Sequence, residues 1–586
     1  MDKPVKNRQG RQSLAPGWQS LRHYQLGWLR QDGLAGLTVA AYLIPQCMAY
    51  GELAGVQPVA GLWAILPPML IYALLGSSPQ LSVGPESTTA VMTAVAIAPL
   101  AMTNTSTYAS IAAFLAILVG LVYLVGYIAH LGFLADLLSK PILVGYMAGV
   151  AIIMITGQLS KVSGIPIQAN SIWEQTYRFV SDIEQIHWKT FLIASLVLVF
   201  LWSSQRRFPR APGPLIAVLL ATTAVALFHL DQQGVKVVGM IPAGLPHLQL
   251  PQPSVPDLSS LVAAAMGIAV VGYSDNILTA RAFANRHSYQ IDGNQELLAL
   301  GIANLGTGVL QGFPISSSGS RTVIGDALGS KTQVFSLVAW GAVMGVLLFL
   351  RPLLALFPTA ALGAIVIFAA TKLIDISEFY RLWQFRKTEF GLAVITSLGV
   401  LGTDILIGVA LAVALSVIDL FTRIARPHDA VLGKVPGLAG WHDIADWQGA
   451  ATWPGLVIYR YDAPLCFANA ENFKQRVLEA ITAEADPVRW LILNTEAIID
   501  IDITAVDMLE SLRQELSTMG ITCGLARVKQ DLYNQLKPSE FLQHIPPDYI
   551  FPSLQLAVTA FVKDVLNGND PMLELPLPQS SSINQE

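Results

Sequence analysis

Ser82-Val83-Gly84-Pro85-Glu86-Ser87-Thr88-Thr89-Ala90, and again Gly312-Phe313-Pro314-Ile315-Ser316-Ser317-Ser318-Gly319-Ser320-Arg321, decide how this chain folds. Each passes from Gly and Pro through hydroxyl side chains into an apolar stretch, which reads as an extended lead into the start of a helix. Alone, either stretch reads as an extramembrane loop. Their matched placement in two halves of a long apolar region, each preceded by two spans of its half, favours a pair of interrupted helices instead. A helix that starts inside a bilayer leaves free N–H groups and a partial positive charge facing a cavity, and anions bind to such starts. Ser87 and Thr88 in the first half, and Ser318 and Gly319 in the second, are therefore candidate substrate ligands. Arg321, in the first turn of the second short helix, would add a full positive charge at the same point.

The surrounding sequence supports a membrane setting. Over 586 residues the hydrophobic fraction is 53%, the charged fraction 13% and the mean hydropathy +0.53, a balance a water-soluble globule does not need. Ala109–Leu134 carries no Asp, Glu, Lys or Arg and exceeds the roughly 20 residues that cross a hydrocarbon core. Further apolar runs lie near Leu34–Leu53, Leu62–Gly76, Pro141–Gly157, Phe191–Trp202, Leu215–Leu227, Leu261–Ala280, Leu297–Leu310, Val334–Leu350, Ala360–Ala370, Phe390–Leu401 and Ile405–Phe421. With the two interrupted helices these predict a polytopic α-helical membrane protein of about fourteen spans. The domain plan is a cytoplasmic segment 1–33, a transmembrane region 34–425 with repeats at about 34–230 and 258–425, a linker 426–453, a small α/β domain 454–566 and a disordered tail 567–586.

Basic residues orient the chain. Lys3, Lys6, Arg8, Arg11, Arg22 and Arg30 precede the first span without a signal-peptide cleavage pattern. Arg206/Arg207/Arg210, Arg281/Arg286 and Arg381/Arg386/Lys387 then fall on predicted cytoplasmic loops, whereas Thr103–Thr107 on the opposite side is uncharged. Both termini are expected in the cytoplasm of a multi-pass cell-membrane protein. Cys47, Cys466 and Cys523 form no disulfide framework or metal cluster. With no nucleophile–base pair or phosphate-binding loop, an enzyme is not expected, and nothing points to nucleic acid.

Gly36-Leu37-Thr38-Val39, Leu43-Ile44-Pro45-Gln46-Cys47-Met48-Ala49-Tyr50, Ser82-Val83-Gly84-Pro85 and Ser320-Arg321-Thr322, in this order, resemble the signatures of the SulP sulfate-permease family of anion transporters. Tyr459-Arg460-Tyr461-Asp462-Ala463-Pro464-Leu465-Cys466-Phe467-Ala468-Asn469-Ala470 is similar to the opening of that family's STAS domain. The resemblance implies a fold of seven plus seven inverted spans, a core made of the first four spans of each repeat, a gate made of the last three, and a homodimer. It implies secondary transport of a small inorganic anion, sulfate first and bicarbonate close behind, with Na+ or H+ as coupling ion. An anion channel or exchanger, or a nucleobase or organic-anion carrier, are the alternatives on the same scaffold.

Gln46 and Tyr50 stand four apart and share a helix face beyond Pro45. The resemblance makes them part of the anion pocket, the Gln46 amide donating and the Tyr50 ring forming an apolar wall. Asp275 is the one acid between Leu261 and Ala280, with Thr279 one turn on, and an intramembrane carboxylate is a functional candidate by default. The family usually carries Glu at this place. Asp-x-x-x-Thr resembles the cyanobacterial sodium–bicarbonate members, which makes Asp275, Thr279 and Ser317 a candidate Na+ site. A carboxylate beside an anion site needs neutralising by a proton, by sodium, or by Arg321 in a purely structural pair. Glu86 reads first as a helix cap and second as a proton-coupling group.

From Leu456 onward strand-like Leu456–Tyr461, Trp490–Leu493 and Thr522–Ala526 alternate with helical Glu471–Ile481, Thr504–Met519, Gln530–Leu536 and Leu554–Val562. Thr504 matches the phosphorylatable hydroxyl of STAS-like domains, but Ile503 and Ala505 depart from that motif, so Asp502 or Thr504 is expected to cap the following helix. The domain remains a candidate docking place for a cytoplasmic regulator.

Overall fold

Helices stand where the apolar runs stand. The computed structural model describes residues 15–100, 105–133, 139–167, 172–208, 211–241, 248–251, 258–403, 405–447 and 449–565. Lys3, Lys6, Arg8, Arg11, Thr103, Asn104, Arg210 and the expected tail lie outside the described residues. The chain divides into two compact units, Met1–Ser416 and Val417–Glu586.

The first unit carries α1 (Leu29–Leu53), α2 (Pro58–Leu75), α3 (Ser87–Ile97), α4 (Thr105–Ile128), α5 (Lys140–Gly157), α6 (Trp188–Arg207) and α7 (Gly213–Leu227). A second set follows: α8 (Leu258–His287), α9 (Gly293–Val309), α10 (Gly319–Ala327), α11 (Val334–Phe349), α12 (Thr359–Thr371), α13 (Lys387–Gly402) and α14 (Ile405–Ala425), the last reaching into the second unit. Helices α3 and α10 are the short ones and begin at the two interruptions. The repeat is visible in the packing. Helix α1 packs on α11 as α8 packs on α4, α4 on α9 as α11 on α2, and α5 on α13 as α12 on α6. Each of these contacts maps onto its counterpart when the two sets of seven are exchanged.

Small residues allow this closeness, as they do wherever helices associate without help from water. A Cβ at Gly61 of α2 would strike the Cys47 carbonyl of α1, and one at Gly145 of α5 would strike the Ala393 carbonyl of α13. Asp32, fully buried near the start of α1, accepts hydrogen bonds from the Lys331 and Thr332 amides at 2.6 and 3.3 Å and from the Thr332 hydroxyl at 2.7 Å. It thereby ties the first repeat to the loop before α11.

In the second unit six strands form one sheet in the order β4-β3-β5-β6-β7-β8. They are β3 (Asp429–Gly433), β4 (His442–Asp443), β5 (Leu456–Tyr461), β6 (Trp490–Asn494), β7 (Thr522–Ala526) and β8 (Ile550–Phe551), with β1 and β2 belonging to the first unit. Strands β5 to β8 run parallel, and β3 runs antiparallel to β5 with Asp429 opposite Tyr461. Both faces are covered, as a parallel sheet requires. Val457, Tyr459 and Tyr461 pack with Phe473 and Leu509, whereas Leu456 and Ile458 pack with Trp453 and Phe561. Residues 426–453, expected as a linker, thus supply two strands of the sheet. Strand β4 is only two residues long, and β3 shows just three consecutive apolar residues between Asp429 and Gly433, with no alternation to read. Asp502 caps the helix Ile503–Thr518 by accepting from the Ala505 amide at 2.9 Å.

Candidate substrate site

The two interruptions meet. Val83 pairs with Ser317 and Gly84 with Ser316 in a two-residue antiparallel ladder, β1 (Val83–Gly84) against β2 (Ser316–Ser317). The Ser318 amide extends the ladder by donating to the Ser82 carbonyl at 2.8 Å, and the Ser82 amide donates to the Thr322 hydroxyl at 3.0 Å. Extended backbone at this depth needs its polar groups satisfied by protein. Asn304 does so for Ile315, accepting from its amide at 2.9 Å and donating to its carbonyl at 3.2 Å. The Ser316 hydroxyl donates to the Gly272 carbonyl of α8 at 2.6 Å.

The helix starts that emerge from this crossing differ chemically. At α3 the Glu86 carboxylate accepts from the Thr88 amide at 2.6 Å and from the Ser87 hydroxyl. That terminus carries its own negative cap. At α10 the Ser318 side chain makes no cap hydrogen bond and lies 3.2 Å from the Ser320 hydroxyl. Among the described residues the Gly319, Ser320 and Arg321 amides make no hydrogen bond, so α10 offers a helix start without a negative cap.

Arg321 stands behind that start. Fully buried, it donates from Nε to the Ser82 hydroxyl at 3.2 Å and from Nη1 to the Pro85 carbonyl at 2.8 Å and the Gln46 side-chain oxygen at 3.3 Å. Its Nη2 is buried without a hydrogen-bond partner. It forms no ion pair with Asp275 among the described residues. Gln46 is turned accordingly: its oxygen faces Arg321, and its amide nitrogen donates to the Tyr50 hydroxyl at 2.9 Å. One of the two N–H donors of the amide expected to reach substrate is thus taken by Tyr50.

A cavity of about 460 Å³ opens in front of the crossing. From one set of helices it is lined by Tyr42, Gln46 and Tyr50 of α1, Glu86 and Ser87 at α3, Asp275 and Thr279 of α8, and Ser318, Gly319 and Ser320 at α10. From a second set it is lined by Ser204 and Gln205 of α6, Pro214 of α7, and Phe368 and Lys372 at the end of α12. Of the residues picked from sequence, Gln46, Tyr50, Ser87, Asp275, Thr279, Ser318 and Gly319 line this cavity. Thr88, Ser317 and Arg321 do not. The Thr88 hydroxyl faces the Met147 sulfur at 3.9 Å, and the Ser317 hydroxyl is buried with no hydrogen-bond partner.

Sequence reasoning did not single out Tyr42, Lys372 or Glu296. Glu296 is fully buried and accepts from the Tyr72 hydroxyl at 2.9 Å, the Ser77 amide and hydroxyl at 3.0 and 2.7 Å, and the Asn276 amide at 2.8 Å. With so many donors it is a satisfied knot between α2, α8 and α9. Lys372 and Glu296 each sit at the edge of an apolar run, where a charge reads as interfacial. No sequence signal separates that from lining a cavity, as Lys372 does, or from burial, as in Glu296.

Comparison with known proteins bears on this arrangement. The model of the "Sulfate permease family" matches residues 29–396, and that of the "STAS domain" matches residues 450–557. A Mycobacterium tuberculosis protein named "Probable sulfate transporter" is 52% identical over 547 residues, covering 93% of this chain and 98% of its own. The Arabidopsis thaliana "Sulfate transporter 4.1, chloroplastic" is 31% identical, covering 95% and 84%. Among solved structures the murine Solute Carrier 26 family member A9 anion transporter, in the inward-facing state, superposes with a TM-score of 0.86 at 24% identity, covering 95% of this chain and 96% of that one.

Proposed function

The chain belongs to the sulfate permease family of multi-pass membrane anion transporters, and on that premise we propose that it is a secondary active carrier of sulfate. The observation that carries the reading is the uncapped start of α10 facing a cavity whose other helix start already carries the Glu86 carboxylate on its Thr88 amide. Free N–H groups and the helix dipole at Gly319 and Ser320 would take the oxyanion, with Arg321 supporting the field from behind. Sulfate is preferred to bicarbonate because the 52% identical relative carries a sulfate name.

The coupling ion is proposed to be sodium. Asp275 and Thr279 line the cavity one helical turn apart, and the Ser317 hydroxyl, in the strand packed on α8, is buried without a partner. Hard cations take oxygen ligands of these kinds. Transport follows by alternating access, the wall of α1, α3, α8 and α10 moving against that of α6, α7 and α12. The same reading takes both termini as cytoplasmic, the working form as a homodimer and the second unit as the docking place of a cytoplasmic regulator.

Uptake of labelled sulfate and labelled bicarbonate into proteoliposomes, with and without a sodium gradient, tests this. Saturable sulfate uptake stimulated by sodium is expected. Asp275→Asn should abolish the stimulation, and Thr279→Ala should raise the sodium concentration needed. If sodium has no effect and Asp275→Asn flattens the pH dependence of uptake, the proton is the coupling ion. If Asp275→Asn keeps both responses, Asp275 couples nothing.

A further inference from the structure

Lys372 is the only Lys or Arg among the described residues lining the cavity. It follows the last residue of α12 and lines the same cavity as the α10 start. Its ammonium lies 4.3 Å from the centroid of the Phe368 ring, another lining residue. This contact holds a cation without neutralising it. Among the described residues no carboxylate lies within ion-pair distance of Lys372.

The charges around the cavity are unevenly disposed. Glu86 and Asp275 line the wall that offers the helix start, and Arg321 is sealed behind that wall by Ser82, Pro85 and Gln46. An anion approaching α10 therefore meets two acids with one exposed cation to offset them. A cavity of this volume is of the order of 10 Å across, about one Debye length, so a charge anywhere on its lining is felt across it.

We propose that Lys372 is the specificity-determining residue that makes the cavity prefer dianions to monoanions. The inference rests on the reading of this cavity as the anion site. Its physical content is a scaling: the attraction of one fixed charge for an anion is proportional to the charge of that anion. Removing Lys372 therefore shifts the free energy of a dianion by twice the shift for a monoanion, and the fold-change in affinity for the dianion is the square of the other. A residue that only packs against Phe368, or only shapes the opening, changes both by the same factor.

The test uses the full chain in proteoliposomes at constant ionic strength, reading the KM of sulfate uptake and the inhibition constants of bicarbonate and chloride. For Lys372→Gln the sulfate KM is expected to rise roughly tenfold and the monoanion constants roughly threefold, with the maximal rate little changed. Lys372→Arg should restore both. Equal fold-changes for sulfate and the monoanions, or a change confined to the maximal rate, overturn the proposal. Failure of the parent protein to take up any of these anions saturably would instead overturn the functional reading beneath it.

Discussion

Arg321 shows how one side chain can serve both the fold and the field. Its three hydrogen bonds reach Ser82 and Pro85 on one interruption and Gln46 on α1, so the guanidinium stitches the crossing as well as charging it. Arg321→Ala should then do more than weaken anion binding. It leaves the Pro85 carbonyl and the Ser82 and Gln46 side chains without their buried donor, a loss on the order of 3 kcal/mol in stability. Thermal unfolding of the purified protein should show a clear drop, and Arg321→Lys, which keeps the charge without the fork, should recover only part of it. An unchanged midpoint for Arg321→Ala would refute the stitching role. The sequence disclosed that Arg321 begins a short helix and that Asp275 and Thr279 share a face. It did not disclose that Arg321 points away from the cavity, because that depends on Ser82, which is near it only after the two interruptions pair. Gln46 was found by spacing, yet one of its two N–H donors is taken by Tyr50 four residues on, a choice between rotamers that no pattern encodes.

Helices were the most legible elements, since lipid demands continuous apolar runs and nearly every such run became one of α1 to α14. The strands β5, β6 and β7 were equally plain. The strands β4 and β8 escaped because two residues give no pattern, and β3 because its three apolar residues stand between Asp429 and Gly433, both poor strand formers, and are secured by pairing with β5 rather than by their own propensity. How helices approach one another is also written in the sequence, though only as glycines whose importance is unequal. A methyl group at Gly61 would strike the Cys47 carbonyl on the helix that carries Gln46 and Tyr50, whereas one at Gly341 of α11 meets nothing within 4 Å. Gly61→Ala should therefore destabilise the protein by about 1–3 kcal/mol through backbone displacement, while Gly341→Ala should be neutral or slightly stabilising. Matched thermal midpoints for the two variants would mean that α1 and α2 tolerate separation and that their contact does not fix the site.

At the scale of the whole molecule the two units ask different things of the chain. The first is an inverted pair of seven-helix sets whose contacts repeat under exchange, and every residue of the proposed site lies within it. The second begins earlier than its apolar pattern suggested. Strand β3 pairs with β5 through Asp429–Tyr461, Ala430–Arg460 and Val431–Tyr459, and β4 pairs with β3. Arg476 reinforces the junction by reaching the Asp429 carboxylate from Nε at 3.0 Å, an interaction that raises the guanidinium above its ordinary range. Where the chain is cut therefore matters. Truncation before Pro454 removes β5 and leaves β3 and β4 with unpaired edges, and Ala430 and Leu432 lose the apolar cover of Leu456, Ile458 and Phe561. Exposed edges of this kind pair with other copies. Truncation after Arg426 removes the sheet entire and leaves α1 to α14 within the fragment. Size-exclusion chromatography of the two purified fragments should give a monodisperse peak for the cut after Arg426 and aggregate for the cut before Pro454. Both should insert in the membrane, and the shorter one should keep anion binding, since none of the cavity's lining residues is lost. If the two fragments behave alike, β3 and β4 are dispensable to the sheet. If the shorter one binds no anion that the full chain binds, the site is not confined to the helices.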